Sequence, residues 1–274
     1  MKLPKGSLFA QYSALLFLAM ISIGPFLWLL STALKSDQEN IFSYPPQWIP
    51  QFPTFKNFIE VWKVIPLWQY LWNSTFISII SVILNLLLSA LAAYPLARME
   101  FKGRQTLFYL ILSTMIIPFQ VLMIPIFILC IQLHLVNTYT GLLLPTCVSA
   151  FGIFLLRQAY LTIPKELEEA AIMDGCNHFD LWWRIMLPLI KPSLATLAIF
   201  VFVGTWSDFL WPLVILKEQS KYTLPLGIAY LAGTFSANWK LVAAGSVIAT
   251  VPIVVFFLFL QKYFIGEIKG AVKG

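Results

Sequence analysis

The chain has 274 residues, of which 59% are hydrophobic, 16% aromatic and only 11% charged, with a mean hydropathy of +0.82 and a formal net charge of +6. A water-soluble domain carries about 25% charged residues, so this composition excludes a soluble fold and implies an integral membrane protein. The basic residues are scattered between apolar runs instead of gathered on one polar face, which excludes a nucleic-acid-binding protein.

In chain order, Lys2 and Lys5 precede a charge-free run from Gly6 to Leu34. That run outlasts the roughly 7–15-residue core of a signal peptide, so a retained transmembrane helix is predicted at about 8–30. An outer loop containing Pro45, Pro46, Pro50 and Pro53 completes a first region, 1–70. The second region, 71–274, is read as the core domain, with helices at about 72–97, 107–131, 141–157, 192–213 and 241–261. The charge-free stretch Gln105–Leu156 is too long for one crossing at 1.5 Å per residue. The polar run HLVNTYTG at 134–141 supplies its break. The prediction is an all-α membrane protein with six transmembrane helices. Prolines inside the spans (Pro25, Pro95, Pro118, Pro125, Pro145 and Pro252) are tolerated where neighbours satisfy the freed carbonyls.

Lysine and arginine set the orientation. Lys2, Lys5, Arg98, Lys102, Arg104, Arg157, Lys165, Arg184, Lys191, Lys262, Lys269 and Lys273 fall on one side, against six lysines on the other. The richer side is expected to be cytoplasmic, and both termini with it.

One stretch departs from the apolar background. Between spans four and five, in a loop at 160–190, Glu166, Glu168, Glu169, Asp174 and Asp180 supply five of the twelve acidic residues. TIPKELEEAAIMDG reads as a short helix, with Pro164 at its start, carboxylates near its positive end and Gly175 stopping it in a left-handed conformation. Leu167, Ala170 and Ala171 share a face that lets another surface come close. Asn177 is placed to cap a second helix, HFDLWWRIMLP. Clustered glutamates are repelled by an anionic leaflet, so the loop is expected to dock on a protein with basic residues.

The pattern Glu169-Ala170-Ala171, Gly175, Ile185, Leu187-Pro188 resembles the EAA loop of ATP-binding-cassette (ABC) importer permeases. The wider run EEAAIMDGCNHFDLWWRIMLPLIKP is similar to the carbohydrate-uptake branch, specifically the second membrane subunit of maltose-type importers. WSDFLWPL at 206–213, YTLPLG at 222–227 and the ending QKYFIGEIKGAVKG carry the same likeness. The resemblance implies the type I ABC importer permease fold. It also implies a subunit forming half of a pathway for a di- or oligosaccharide or glycoside, in a prokaryotic plasma membrane. Its implied partners are a second homologous permease, two copies of an ATP-binding subunit that hold the ATP and Mg, and an extracytoplasmic solute-binding protein. By the same resemblance Glu169, Ala170, Ala171, Asp174, Gly175, Ile185, Leu187 and Pro188 would couple to the ATPase. The tail Gly270, Ala271, Val272, Lys273 and Gly274 would touch it as well.

The sequence itself contains no G-x-x-x-x-G-K-[ST] phosphate loop, so no nucleotide site is expected in this chain. No catalytic set is expected either. His134 and His178 fall in different connections, and Cys130, Cys147 and Cys176 lack metal-ligand spacing. The alternative is an ion-coupled secondary transporter, which places ionisable groups inside the spans. Asp208 is the one carboxylate positioned for that. Asp208, Trp206 and Asn85 are therefore the candidate pathway residues, with helix–helix hydrogen bonding the other role open to Asn85.

Overall fold

The computed structural model describes residues 5–234 and 238–271, with side chains placed for 11–233 and 238–262. All regular structure among the described residues is helical. The chain divides into two units, Met1–Trp68 with Gly227–Val251, and Gln69–Leu226 with Pro252–Gly274. Among the described residues, three helices are long and apolar enough to cross a membrane: Gln11–Leu34, Leu67–Arg98 and Trp239–Lys262. Three further helix pairs reach that length only as bent pairs.

In the first unit, α1 (Lys5–Leu34) is apolar on every side, as expected of a helix facing lipid. Its C-terminal end is bound to the connection that follows. Thr54 N–H donates to the Leu34 carbonyl at 2.8 Å, and Asn57 of α2 (Lys56–Val64) donates to the carbonyls of Ala33 and Lys35, both at 2.8 Å. The Trp28 and Trp48 rings meet edge to face at 4.9 Å. Glu39 organises the loop: its carboxylate accepts from the Ser36, Gln51 and Phe52 N–H groups and from the Ser36 hydroxyl. Burial pushes its pKa up, but these hydrogen bonds outweigh burial and hold it below the usual glutamate range.

The second unit starts on α3 (Leu67–Arg98), a continuous helix in spite of Pro95. The next predicted span, 107–131, is not one helix. It comprises α4 (Arg104–Ser113), a 3₁₀ turn at Thr114–Ile116 and α5 (Phe119–Gln132), the two arms bent by 99°. Pro118 is the cause: it offers no N–H to the preceding turn and pushes Ile117 into an extended conformation (φ −85°, ψ 113°). The polar break at 134–141 is as expected, with His134 and Asn137 at positive φ. It is followed by α6 (Tyr139–Leu143), a 3₁₀ turn at Leu144–Thr146, and α7 (Ala150–Leu161), bent by 47°. The turn is locked in place by Asn137, whose side-chain oxygen accepts from the Lys217 and Glu218 N–H groups.

Predicted span five also breaks. Its helix α11 (Lys191–Trp206) stops at Ser207–Phe209 and resumes as α12 (Leu210–Ile215). Between α7 and α11 lie α8 (Lys165–Met173), α9 (His178–Asp180), a π-helical stretch at Leu181–Met186 and α10 (Leu187–Leu189). The chain ends with α13 (Leu224–Thr234) and α14 (Trp239–Ala271). A core around Tyr94, Leu156, Tyr160, Trp182 and Met186 joins α3 and α7 to the connection that carries α8.

Candidate functional site

The connection from α7 to α11 is built as its residues dictate. α8 spans Lys165–Met173 behind Pro164, with Glu166 and Glu168 in its first turn, where the helix dipole favours negative charge. Gly175 ends it at φ +86°, and the N–H groups of Gly175 and Cys176 close back on the Ile172 and Ala171 carbonyls at 3.0 Å each. Asn177 then caps α9, accepting from Phe179 N–H at 3.0 Å and Asp180 N–H at 2.9 Å.

Three contacts seat this connection on the chain's own core. Arg98, the last residue of α3, donates to the carbonyl of Tyr160 at 2.6 Å and to that of Ile163, and faces Glu168 at 3.7 Å. The Trp182 indole N–H donates to the Tyr160 hydroxyl at 3.0 Å. Tyr94 meets the Tyr160 ring edge to face at 5.6 Å. Sequence reasoning gave Arg98 only an orienting charge. Its role is visible only in three dimensions, because the carbonyls that it binds carry no sequence signature.

The proposed docking residues separate by face. Glu169, Ala170, Asp174, Gly175 and Pro188 are exposed, and so are Glu166 and Met173. Ala171, expected on the outward face, is 5% exposed and packs into the core beside Leu181 and Trp182. Its register is the reason: Ala171 lies three residues after Glu168, so the turn that brings Glu168 to Arg98 turns Ala171 inward. Ile185 and Leu187 are half-buried against the same core. The outward face of α8 therefore includes Glu166, Glu169, Ala170 and Met173. Of the tail, Gly270 and Ala271 have helical backbone, whereas Val272, Lys273 and Gly274 lie outside the described residues.

The pathway candidates have different surroundings. Asn85 is 2% exposed: its amide donates to the Thr146 carbonyl at 3.3 Å, and its oxygen accepts from the Ser89 and Ser149 hydroxyls, each at 3.2 Å. It ties α3 to the start of α7, the helix–helix role. Trp206 is 2% exposed with its ring stacked on Phe202 at 5.5 Å, so it serves packing and offers no open surface. Asp208 sits in the break between α11 and α12, where its carboxylate accepts from Trp211 N–H at 3.4 Å. It borders a cavity with Thr146, Thr205 and Thr223. Among the described residues no three His, Cys, Asp or Glu side chains gather to hold a metal ion.

The sequence pattern of the family described as binding-protein-dependent transport system inner membrane component matches residues 85–269. The chain is 42% identical over 261 residues to the arabinooligosaccharides transport system permease protein AraQ of Halalkalibacterium halodurans, covering 94% of each. It is 34% identical over 263 residues to the lactose transport system permease protein LacG of Rhizobium radiobacter, covering 96% of this chain and 95% of that one. In structure it is similar to a chain of a bacterial ABC transporter involved in the import of the acidic polysaccharide alginate. That match has a TM-score of 0.79 and 24% identity, and covers 96% of this chain and 99% of the other. A bacterial alginate ABC transporter in complex with an alginate pentasaccharide-bound periplasmic protein also matches, with a TM-score of 0.67 and 16% identity, over 91% and 92% of the two chains. The matched segment runs from the Asn85 knot through the α8 connection into α14, and the chain belongs to the family of binding-protein-dependent transport system inner membrane components.

Proposed function

We propose that this chain is one of two permease halves of an ATP-driven importer for di- or oligosaccharides or glycosides, powered through α8 by a separate ATPase. The carrying observation is the two-faced build of that helix. Ala171 and Glu168 face the core and Arg98, while Glu169, Ala170 and Met173 stand outward on a rigid support. A rigid anionic knob suits a cleft with basic residues, and its anchorage on α3 and α7 gives a push there somewhere to go. The relatives' names support the sugar class, and the family description supports a solute-binding partner.

In this reading α4 with α5, α6 with α7, and α11 with α12 each count as one span of a six-span chain, with α8 and both termini on the cytoplasmic side of a prokaryotic plasma membrane. Glu169 pairs with a basic group of the ATPase, Gly175 and Asp174 form the turn, and Ile185, Leu187 and Pro188 carry motion into α11. Residues 270–274 form a second contact, and ATP and Mg stay on the partner. The core domain is 71–274, with 1–70 an added helix and outer loop. Family membership removes the ground for the ion-coupled carrier, whose case rested on Asp208 alone.

The test is charge reversal at an exposed position, which leaves folding intact. Glu169→Lys in the complete transporter should insert and assemble normally yet lose solute uptake while the ATPase still turns over. Uptake at the wild-type rate would remove Glu169 from the coupling role.

A further inference from the structure

The break between α11 and α12 opens on a cavity of ≈ 110 Å³ lined by Asp208, Thr146, Thr205, Thr223, Gly204 and Ile77. That is well above the ~10–15 Å³ that admits a single water, so it has room for a small group of heavy atoms. Its polar lining is one carboxyl and three hydroxyls, with no lysine, arginine or histidine. Thr223 is 3% exposed and its hydroxyl has no partner, although Ser74 holds the next residue in place by accepting from Leu224 N–H at 2.7 Å. Asp208 keeps accepting capacity too: its carboxylate takes the Leu210 and Trp211 N–H groups, the latter at 3.4 Å, long for a hydrogen bond, and a carboxylate accepts at about four positions. A buried hydroxyl left unpaired is unfavourable, so a site with one calls for a ligand that donates and accepts at once.

We propose that this cavity is where the chain itself holds the passing solute, taking adjacent hydroxyls of one sugar residue. Asp208 accepts from one hydroxyl in a charge-assisted bond, Thr223 pairs with its neighbour, and Ile77 lies along the C–H face of the ring. An anion is disfavoured because the only charge lining the cavity is negative. A metal cation is disfavoured because threonine donors and an aliphatic wall contribute little to its coordination. The proposal rests on the importer reading above and assigns the contact to particular atoms of this subunit.

The test measures uptake of radiolabelled arabinotriose by cells carrying the complete transporter. The variants are Asp208→Asn, Thr223→Val, Thr223→Ser and Gly204→Ala, with assembly checked by co-purification. A Cβ at Gly204 meets no heavy atom within 4 Å, so Gly204→Ala adds bulk at the cavity lining without disturbing packing. Maximal uptake should fall roughly tenfold or more for Asp208→Asn and Thr223→Val, as expected for losing bonds of this strength. Gly204→Ala should slow it too, Thr223→Ser should restore it, and KM, set by the binding protein, should hold. Wild-type uptake in all four assembled variants would overturn the proposal and leave the importer reading intact. Loss of wild-type uptake when choline replaces sodium would also overturn it, in favour of a cation site. Failure of the wild-type transporter to take up arabinotriose, lactose or melibiose would instead overturn the importer reading beneath it.

Discussion

Arg98 and Glu168 face each other at 3.7 Å with side chains only 4% and 17% exposed, joining the end of α3 to the helix that stands farthest from the apolar spans in character. At that separation the pair attracts without a close hydrogen bond, while the guanidinium's short bonds run to the Tyr160 and Ile163 carbonyls. The two partners should therefore differ in weight. Arg98→Ala removes the donor to two carbonyls and the cation beside a largely buried carboxylate, and is expected to destabilise the chain by about 3–5 kcal/mol. Glu168→Gln should cost about 1 kcal/mol or less, close to a partly exposed ion pair. Thermal unfolding in detergent, with trypsin cleavage at Lys165 as a local probe, separates the two. Equal effects would show that the ion pair, not the carbonyl clasp, holds the connection.

At Gly175 the constraint is purely one of backbone. With φ at +86° and open space around a would-be Cβ, Gly175→Ala meets no clash, so any cost is that of the left-handed conformation, about 1–2 kcal/mol. Hydrogen exchange across residues 165–177 should accelerate in Gly175→Ala and much less in Gly175→Asn, since asparagine tolerates that region. Unchanged exchange in the alanine variant would mean that the turn is not stopped by this residue's geometry.

Gly152 presents the opposite constraint. A Cβ there would lie 2.7 Å from the Ser89 hydroxyl, 2.8 Å from that of Ser149 and 3.0 Å from the Asn85 oxygen, inside the bonds joining α3 to α7. Gly152→Ala is expected to lower stability by about 1–3 kcal/mol through overpacking. Adding Ser89→Ala, which removes the nearest atom, should recover part of the loss. A melting temperature unmoved by Gly152→Ala would contradict this packing.

The Glu39 loop should be sensitive to acid. Its folded-state pKa is lowered, so its contribution is complete above the ordinary glutamate value of about 4.3 and is lost as pH falls through the folded value. Exchange protection at Gln51 and Phe52, whose N–H groups bind the carboxylate, should fall below that point in the wild type. In Glu39→Gln the same amides should show no acid transition. An identical pH profile in both would rule out the carboxylate as the organiser.

Much of this was readable in the residues themselves. Gly175, Asn177 and the α8 boundaries followed from local chemistry, since caps and left-handed stops depend on one or two side chains. The polar break at 134–141 did so for the same reason. The bend at Pro118 and the interruption at Ser207–Phe209 were not readable as breaks. Hydropathy averages over a window and cannot distinguish a straight apolar helix from two arms at 99°. The inward turn of Ala171 was likewise hidden, because Leu167, Ala170 and Ala171 make an equally good stripe whichever way the helix is rolled. Arg98, contributed from a distant helix, and the core beneath Ala171 fix that roll.

The π-helical stretch at Leu181–Met186, closed by Leu187 N–H bonding back to the Trp182 carbonyl, carries a broader meaning. Each residue advances an α-helix by about 100°, whereas a widened turn absorbs a residue while keeping the backbone bonded. Segment length here is thus a form of aim: trimming one residue would keep the segment helical yet rotate all that precedes it about the axis, pointing Glu169 elsewhere. The spacing of this knob from α11 behaves like the tooth count of a gear.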